Sequence, residues 1–262
     1  MVVADRNVFL DTLREIRLPL ALIFAFQVLV TAAYYGLGWE WLALDSSAKV
    51  TLLGAGLTVF LGLRNNTAYG RWWESRKLWG QVVNDSRSFT RSLSVLMLPP
   101  GSEALRRELT RTQVAWVHAL RHFLRKQNQA DIAPFLGAEA LVRWSSNPPF
   151  AVQREIAAEL VEARRRGWIN DIEAAALNML LTNLTDAQGG LERIRNTPLP
   201  YQYHSFTRVF VIVYALVLPS GILTDFGLAT PLAALVIAFA FLAFDQAGTW
   251  RTLSPMPSTT PR

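Results

Sequence analysis

The residues with the most chemistry to offer lie together in "RNNTAYGRWWESRKLWG", positions 64 to 80. Arg64, Arg71, Arg76 and Lys77 supply positive charge, Asn65, Asn66, Tyr69 and Glu74 stand between them, and Trp72, Trp73 and Trp79 add three indoles. Guanidinium groups pair with carboxylates, and tryptophan rings, apolar in body with one polar edge, favour a membrane interface. Glu74 is expected to pair with Arg71 or Arg76. Two other sets invite a metal or catalytic reading. His118 and His122 are four apart, a spacing that lets two imidazoles on one helix face share a metal. The run "HALRH" nevertheless lacks the glutamate of the zinc-protease motif and has no third ligand nearby, so both are expected on a helix surface and no metal is expected. Glu74, Asp186 and Glu192 have no spacing that specifies an acid pair. With no nucleophile, metal or cofactor motif, the chain does not read as an enzyme.

The elements that must hold these residues are apolar. The 262 residues are 51% hydrophobic and only 18% charged, with nine Trp, a balance too apolar for an ordinary soluble domain of this length. There is no cysteine, which removes disulfides and thiolate metal sites. Four apolar stretches stand out: 18–38, 50–63, 209–223 and 228–244. The first is long enough to cross a hydrocarbon layer of about 30 Å at about 1.5 Å per residue. The last two, joined by "TDFG", form a helical hairpin that tolerates Pro219 and Pro231. The second is short for a span, and charge promotes it. If 50–63 crosses, 25 of the 26 basic residues fall on one side, Lys49 being the exception. The positive-inside rule then places both termini and a large insert in the cytoplasm, with two short external loops. The segment 64–80 becomes a membrane exit.

"FLGLRNNTAYGRWWESRKLWGQVVNDSR", 60 to 87, resembles the membrane-exit signature of the bestrophin family, and "GGLERIRNTPLPYQY", 189 to 203, is similar to a second family segment ahead of the third apolar stretch. The resemblance to bacterial bestrophin homologues covers most of residues 1 to 246. It implies an all-α homopentameric ion channel of a bacterial inner membrane. The expected parts are an N-terminal cytoplasmic segment (1–17), two membrane helices (18–63), a helical cytoplasmic domain (64–206), two further membrane helices (207–246) and a disordered tail (247–262). Its expected partners are further copies of the chain, membrane lipid and permeating monovalent ions.

Ala55, Val59 and Leu63 recur at i, i+4 and i+8 and form one stripe on a helix. Such a stripe in a membrane helix is by itself the mark of helix packing. The resemblance assigns these positions to a hydrophobic neck, where five copies would make apolar rings that gate by dewetting. Relatives carry larger side chains there, so Ala55 implies a wider ring at its level. Gly54, Gly56 and Gly62 let helices approach closely.

The insert has helical periodicity at 102–129, 151–165 and 169–195 and no alternating strand pattern. Its arginines, among them Arg106, Arg107, Arg111 and Arg164 to Arg166, come without a recognition motif, so no nucleic acid is expected. By resemblance a second constriction lies near the start of the last of these helices, at Ile172 with Ile169 beside it. After Phe244 the only acid is Asp245, too few oxygen ligands for the calcium clasp of eukaryotic relatives, and no cofactor is implied. The external acids Glu40, Asp45 and Asp225 favour cations and the cytoplasmic arginines favour anions, and the resemblance to the bacterial branch leans the expected selectivity toward cations over chloride. A non-conducting membrane scaffold with an arginine-rich partner-binding domain fits the same length and charge map.

Overall fold

The computed structural model describes residues 8–44, 47–127, 146–197 and 201–249. Among them every regular element is helical: α1 (Val8–Leu37), α2 (Ser47–Leu96), α3 (Glu103–Arg125), α4 (Pro148–Arg165), α5 (Asp171–Asn196), α6 (Tyr201–Phe226) and α7 (Thr230–Thr249), with single 3-10 turns at Glu40–Leu42 and Gly227–Ala229. They form two compact units. One holds α1, α2 as far as Gly70, α6 and α7; the other holds α2 from Arg71 with α3, α4 and α5.

In the first unit burial follows narrow stripes. Ile16, Ile23, Gln27, Val30 and Thr31 of α1 are buried, while Leu18, Leu22 and Leu29 on its other faces are exposed. On α7, Ala234, Ala238 and Leu242 are buried, and Leu232, Val236 and Phe244 are exposed. A helix that buries one apolar stripe and exposes others leaves those faces for a membrane or a further protein surface rather than for water. Residues 12–37 and 205–246 have mean hydropathies of 2.0 and 2.2, high enough for membrane crossing. Alanines at the contacts, Ala215, Ala234 and Ala238, let the backbones of α6 and α7 come close. The amide of Gln27 reaches across to the Ala215 carbonyl at 3.4 Å, and the Tyr35 hydroxyl donates to the Leu223 carbonyl.

One sequence expectation gains length here and another changes. The 14 apolar residues at 50–63 belong to the 50-residue α2, which runs unbroken through the membrane-exit segment. The polar residues at 64–80 include no proline to stop it. The hairpin turn is also shifted from "TDFG" as a whole to its last residue and the two that follow: Thr224, Asp225 and Phe226 complete the last turn of α6, and the chain reverses over Gly227–Ala229, where Gly227 has a φ of 57° that suits glycine.

The second unit is a bundle around one core. Trp79, Val82, Phe89 and Leu93 of α2 meet Leu109, Trp116 and Leu120 of α3, Ile156 and Leu160 of α4, and Leu177, Leu184 and Leu191 of α5. Caps set the helix starts. Asn147 accepts the Phe150 amide ahead of α4, and Asn170 and Glu173 form a reciprocal capping box on α5. The indole of Trp116 donates to Gln188, whose amide in turn donates to Asn147 and Glu192.

One side chain of this bundle is badly solvated. Glu159 has a buried carboxylate oxygen without a hydrogen bond. Burial first, then the neighbouring charges of Glu108 and Glu155, raise its pKa from 4.5 to about 7. A carboxyl whose pKa is raised on folding favours the fold while protonated, and that contribution is lost as pH climbs from 4.5 through about 7. Glu159→Gln is therefore expected to stabilise the chain at pH 8 by about 1 kcal/mol, discounted for a half-exposed group. The gain shrinks toward pH 4.5. Thermal unfolding of both proteins across that range measures it.

Candidate functional site

The first half of α2 has two opposed faces. Val50, Gly54, Leu57, Leu61 and Arg64 recur at intervals of three and four and are buried, the first four closing against Tyr214, Ala215 and other apolar residues of the unit. A Cβ on Gly54 would lie 2.5 Å from the Tyr214 hydroxyl, so glycine admits this ring; Gly56 and Gly62 have no such neighbour. Ala55, Val59 and Leu63 occupy the opposite side. All three are exposed, Val59 and Leu63 by 64% each. Beside them runs an apolar groove of about 510 Å³, lined by Leu52, Leu53, Gly56, Leu57 and Phe60 with Phe210, Val213 and Tyr214. The stripe of α2 facing away from its own chain is thus apolar, with Thr51 and Thr58 exposed at its flank. It makes no bonds with water, and brought round a narrow path it would expel water.

Past Leu63 the motif residues divide between the two units. Arg64 is buried, and its guanidinium bonds Asp245 twice: Nη1 to Oδ1 at 2.5 Å and Nη2 to the main-chain carbonyl at 2.5 Å. Asn65 Nδ2 donates to the Phe244 carbonyl at 3.2 Å, whereas Asn66 and Tyr69 are exposed. Within the second unit, Arg71 donates to the carbonyls of Ile194 and Thr197, at 2.7 and 2.5 Å, at the end of α5. That end is an electron-rich set of carbonyls, which a guanidinium fork satisfies. Glu74 pairs with Arg193 at 2.5 Å. Gly190 presses against Leu78, so a Cβ there would come within 2.9 Å of its methyl. Arg76 and Gly80 are exposed.

The structure corrects several sequence expectations. Arg64 is a buried partner of Asp245, not a charge on the membrane face. Glu74 is bound by Arg193 rather than by Arg71 or Arg76, because α5 lies alongside α2 and offers the nearer cation. Trp79, expected at an interface, is buried in the core of the second unit, while Trp72 and Trp73 stay exposed with ring centroids 6.0 Å apart. His122 is buried, not superficial, and its Nε2 lies 2.8 Å from the Arg121 guanidinium. Among the described residues no group of three His, Asp or Glu is placed to hold a metal. Glu192 bonds Gln188 and Asn147 while Glu74 bonds Arg193, so the imagined acid set is not assembled. The constriction candidates also separate. Ile172 is 82% exposed in the first turn of α5, whereas Ile169 is only 3% exposed and belongs to the core. Asp45 and the tail from residue 250 lie outside the described residues.

The partner role of Asp245 is what sequence reasoning missed. Its signal was present: a lone carboxylate at the end of the last apolar stretch needs a cation. The carbonyls of Ile194 and Thr197 that receive Arg71 were missed as well, and no side-chain pattern announces them.

Comparison with known proteins places this geometry. The family described as Bacterial/Fungal Bestrophin protein matches residues 9–250. The voltage-dependent anion channel-forming protein YneE of Escherichia coli (strain K12) is 34% identical over 233 residues, 87% of this chain and 74% of that protein. A Mesorhizobium japonicum protein, also named voltage-dependent anion channel-forming, is 35% identical over 85% of this chain and 72% of its own. The crystal structure of a bacterial bestrophin homologue from Klebsiella pneumoniae superposes with a TM-score of 0.82 at 27% identity, over 94% of this chain and 92% of that one.

Proposed function

We propose, on the premise that this chain belongs to the bacterial and fungal bestrophin family, that it is the subunit of a homopentameric ion channel whose pore wall is the exposed face of α2. It is a channel-family protein, not an enzyme. α1, the first half of α2, α6 and α7 are the four crossings; the N-terminal segment (1–17), the insert (64–206) and the tail (247–262) are cytoplasmic, in a bacterial inner membrane. Ala55, Val59 and Leu63 form the neck. One observation carries this: an apolar stripe exposed directly opposite the ridge that α2 buries. A helix packed only within its own chain has no use for it, and in a ring of five the stripe faces the axis. Ile172, nearly bare at the start of α5, is the second constriction. The motif residues Arg64, Arg71, Glu74 and Trp79 hold elements together and do not themselves line the pore.

The permeant species are small monovalent ions. The names of the relatives favour anions over the cation lean drawn from the resemblance to the bacterial branch. An uncharged neck sets a dehydration barrier and selects no sign, which leaves the choice to charges at the pore mouths. Reversal potential in lipid bilayers under a tenfold KCl gradient tests both matters together. A shift toward the chloride equilibrium potential is expected. A shift toward potassium restores the cation reading, and absence of current from a purified pentamer leaves the scaffold reading.

A further inference from the structure

The contact of α2 with α6 is close apolar packing, Val50, Gly54, Leu57 and Leu61 against Tyr214, Ala215 and Gly221. Packing of this kind holds a helix against its neighbour without a directional bond, and stepping by one residue turns a helix by about 100°. Arg64 is different in kind. Its planar fork meets two acceptors of Asp245, the carboxylate and the main-chain carbonyl, with both side chains only 4% exposed. A buried bidentate contact is directional and little screened by salt. The next residue, Asn65, bonds the neighbouring carbonyl of Phe244. Two consecutive residues of α2 therefore grip two consecutive residues of α7. Leu63, the last member of the exposed stripe, is covalently next to Arg64, so no flexible segment separates grip and stripe.

We infer that the Arg64–Asp245 contact is a positioning device: it sets the rotation of α2 about its own axis and thereby aims Val59 and Leu63. The inference deepens the proposed function and rests on its reading of the stripe as pore wall. A turn that withdrew Arg64 from Asp245 would carry Val59 off the axis and bring the flanking Phe60, now in the groove, toward it.

The chain has no cysteine, so Val59→Cys or Phe60→Cys places one thiol per subunit in an otherwise intact channel. Purified pentamers in phospholipid vesicles are exposed to a charged methanethiosulfonate, and the rate of current change is read for each thiol alone and combined with Asp245→Asn or Arg64→Lys. Lysine keeps the charge and loses the fork. With the contact intact, Val59→Cys is expected to react quickly and Phe60→Cys slowly. Either contact variant should slow the first by about tenfold and speed the second, the size of coupling typical of directly linked residues. A merely stabilising pair would leave the ratio of the two rates unchanged, and that outcome overturns the proposal. If Val59→Cys is inert while the contact is intact, the pore reading itself fails and the proposal falls with it. Loss of assembly in both Asp245→Asn and Arg64→Lys would assign the pair to folding, and that too overturns it.

Discussion

Val59→Thr is expected to raise ion flux about tenfold in reconstituted vesicles, a change of about 1.4 kcal/mol in the barrier. Threonine nearly matches valine in shape, so the substitution leaves the neck as wide as before and adds one hydroxyl per subunit. An apolar neck impedes ions because water leaves it, and a ring of five hydroxyls gives water partners there. One methyl exchanged for hydroxyl in each of five copies alters several times the apolar surface of a single methylene, itself worth about 0.8 kcal/mol. The expected change is well inside that range. Val59→Ala separates wetting from width, since it widens the ring without adding a polar group. A rise with threonine assigns the barrier to dewetting; a rise with alanine alone assigns it to size. The fold should not intervene, because Val59 is exposed and belongs to neither buried cluster of its own chain. Flux unchanged by both variants, with a weakened pentamer, would make the residue an intersubunit packing contact instead.

Much of this architecture was legible because hydrocarbon leaves a plain signature. Long apolar runs marked α1, α6 and α7, and proline-free polar sequence past residue 63 already permitted one continuous α2. The stripe at Ala55, Val59 and Leu63 was readable as a face; that it is the unpartnered face needed coordinates, since periodicity cannot distinguish two apolar sides of one helix. The motif was legible as a motif and misread in chemistry. Arg64 and Trp79 look like surface residues when only their neighbours in sequence are considered. What buries them arrives from positions far along the chain, Asp245 in one case and the core from α3 to α5 in the other. Glu74 shows the same limit: local spacing offered Arg71 and Arg76, and tertiary packing supplied Arg193. Ile169 and Ile172, three apart on the sequence, parted because one precedes the cap at Asn170 and folds into the core while the other begins the exposed face of α5.

Gly221→Ala is expected to cost about 3 kcal/mol, at the upper end for overpacking, because the methyl meets a group that cannot yield. A Cβ built there would lie 2.8 Å from Val50 Cβ and closer still to Val50 Cγ2. Cβ is fixed to the backbone of α2, and the γ-methyls of a β-branched side chain have no neighbouring rotamer to escape into. Relief therefore requires α2 and α6 to separate. Gly54→Ala provides the comparison. Its Cβ meets the Tyr214 hydroxyl at 2.5 Å, but that atom is the tip of a side chain bordering an open groove, and a small tilt of the ring answers the clash at about 1 kcal/mol. The two glycines are thus unequal although both lie at the α2–α6 contact. Val50→Ala in the Gly221→Ala background removes both γ-methyls but retains Cβ, so recovery of about half the loss is expected, and the coupling between the sites should exceed 0.5 kcal/mol by roughly twofold or more. Tryptophan fluorescence during thermal unfolding in detergent, for the two single variants and the double, measures all three terms. Equal losses at Gly221 and Gly54, without rescue by Val50→Ala, would mean that α2 and α6 do not meet at this point.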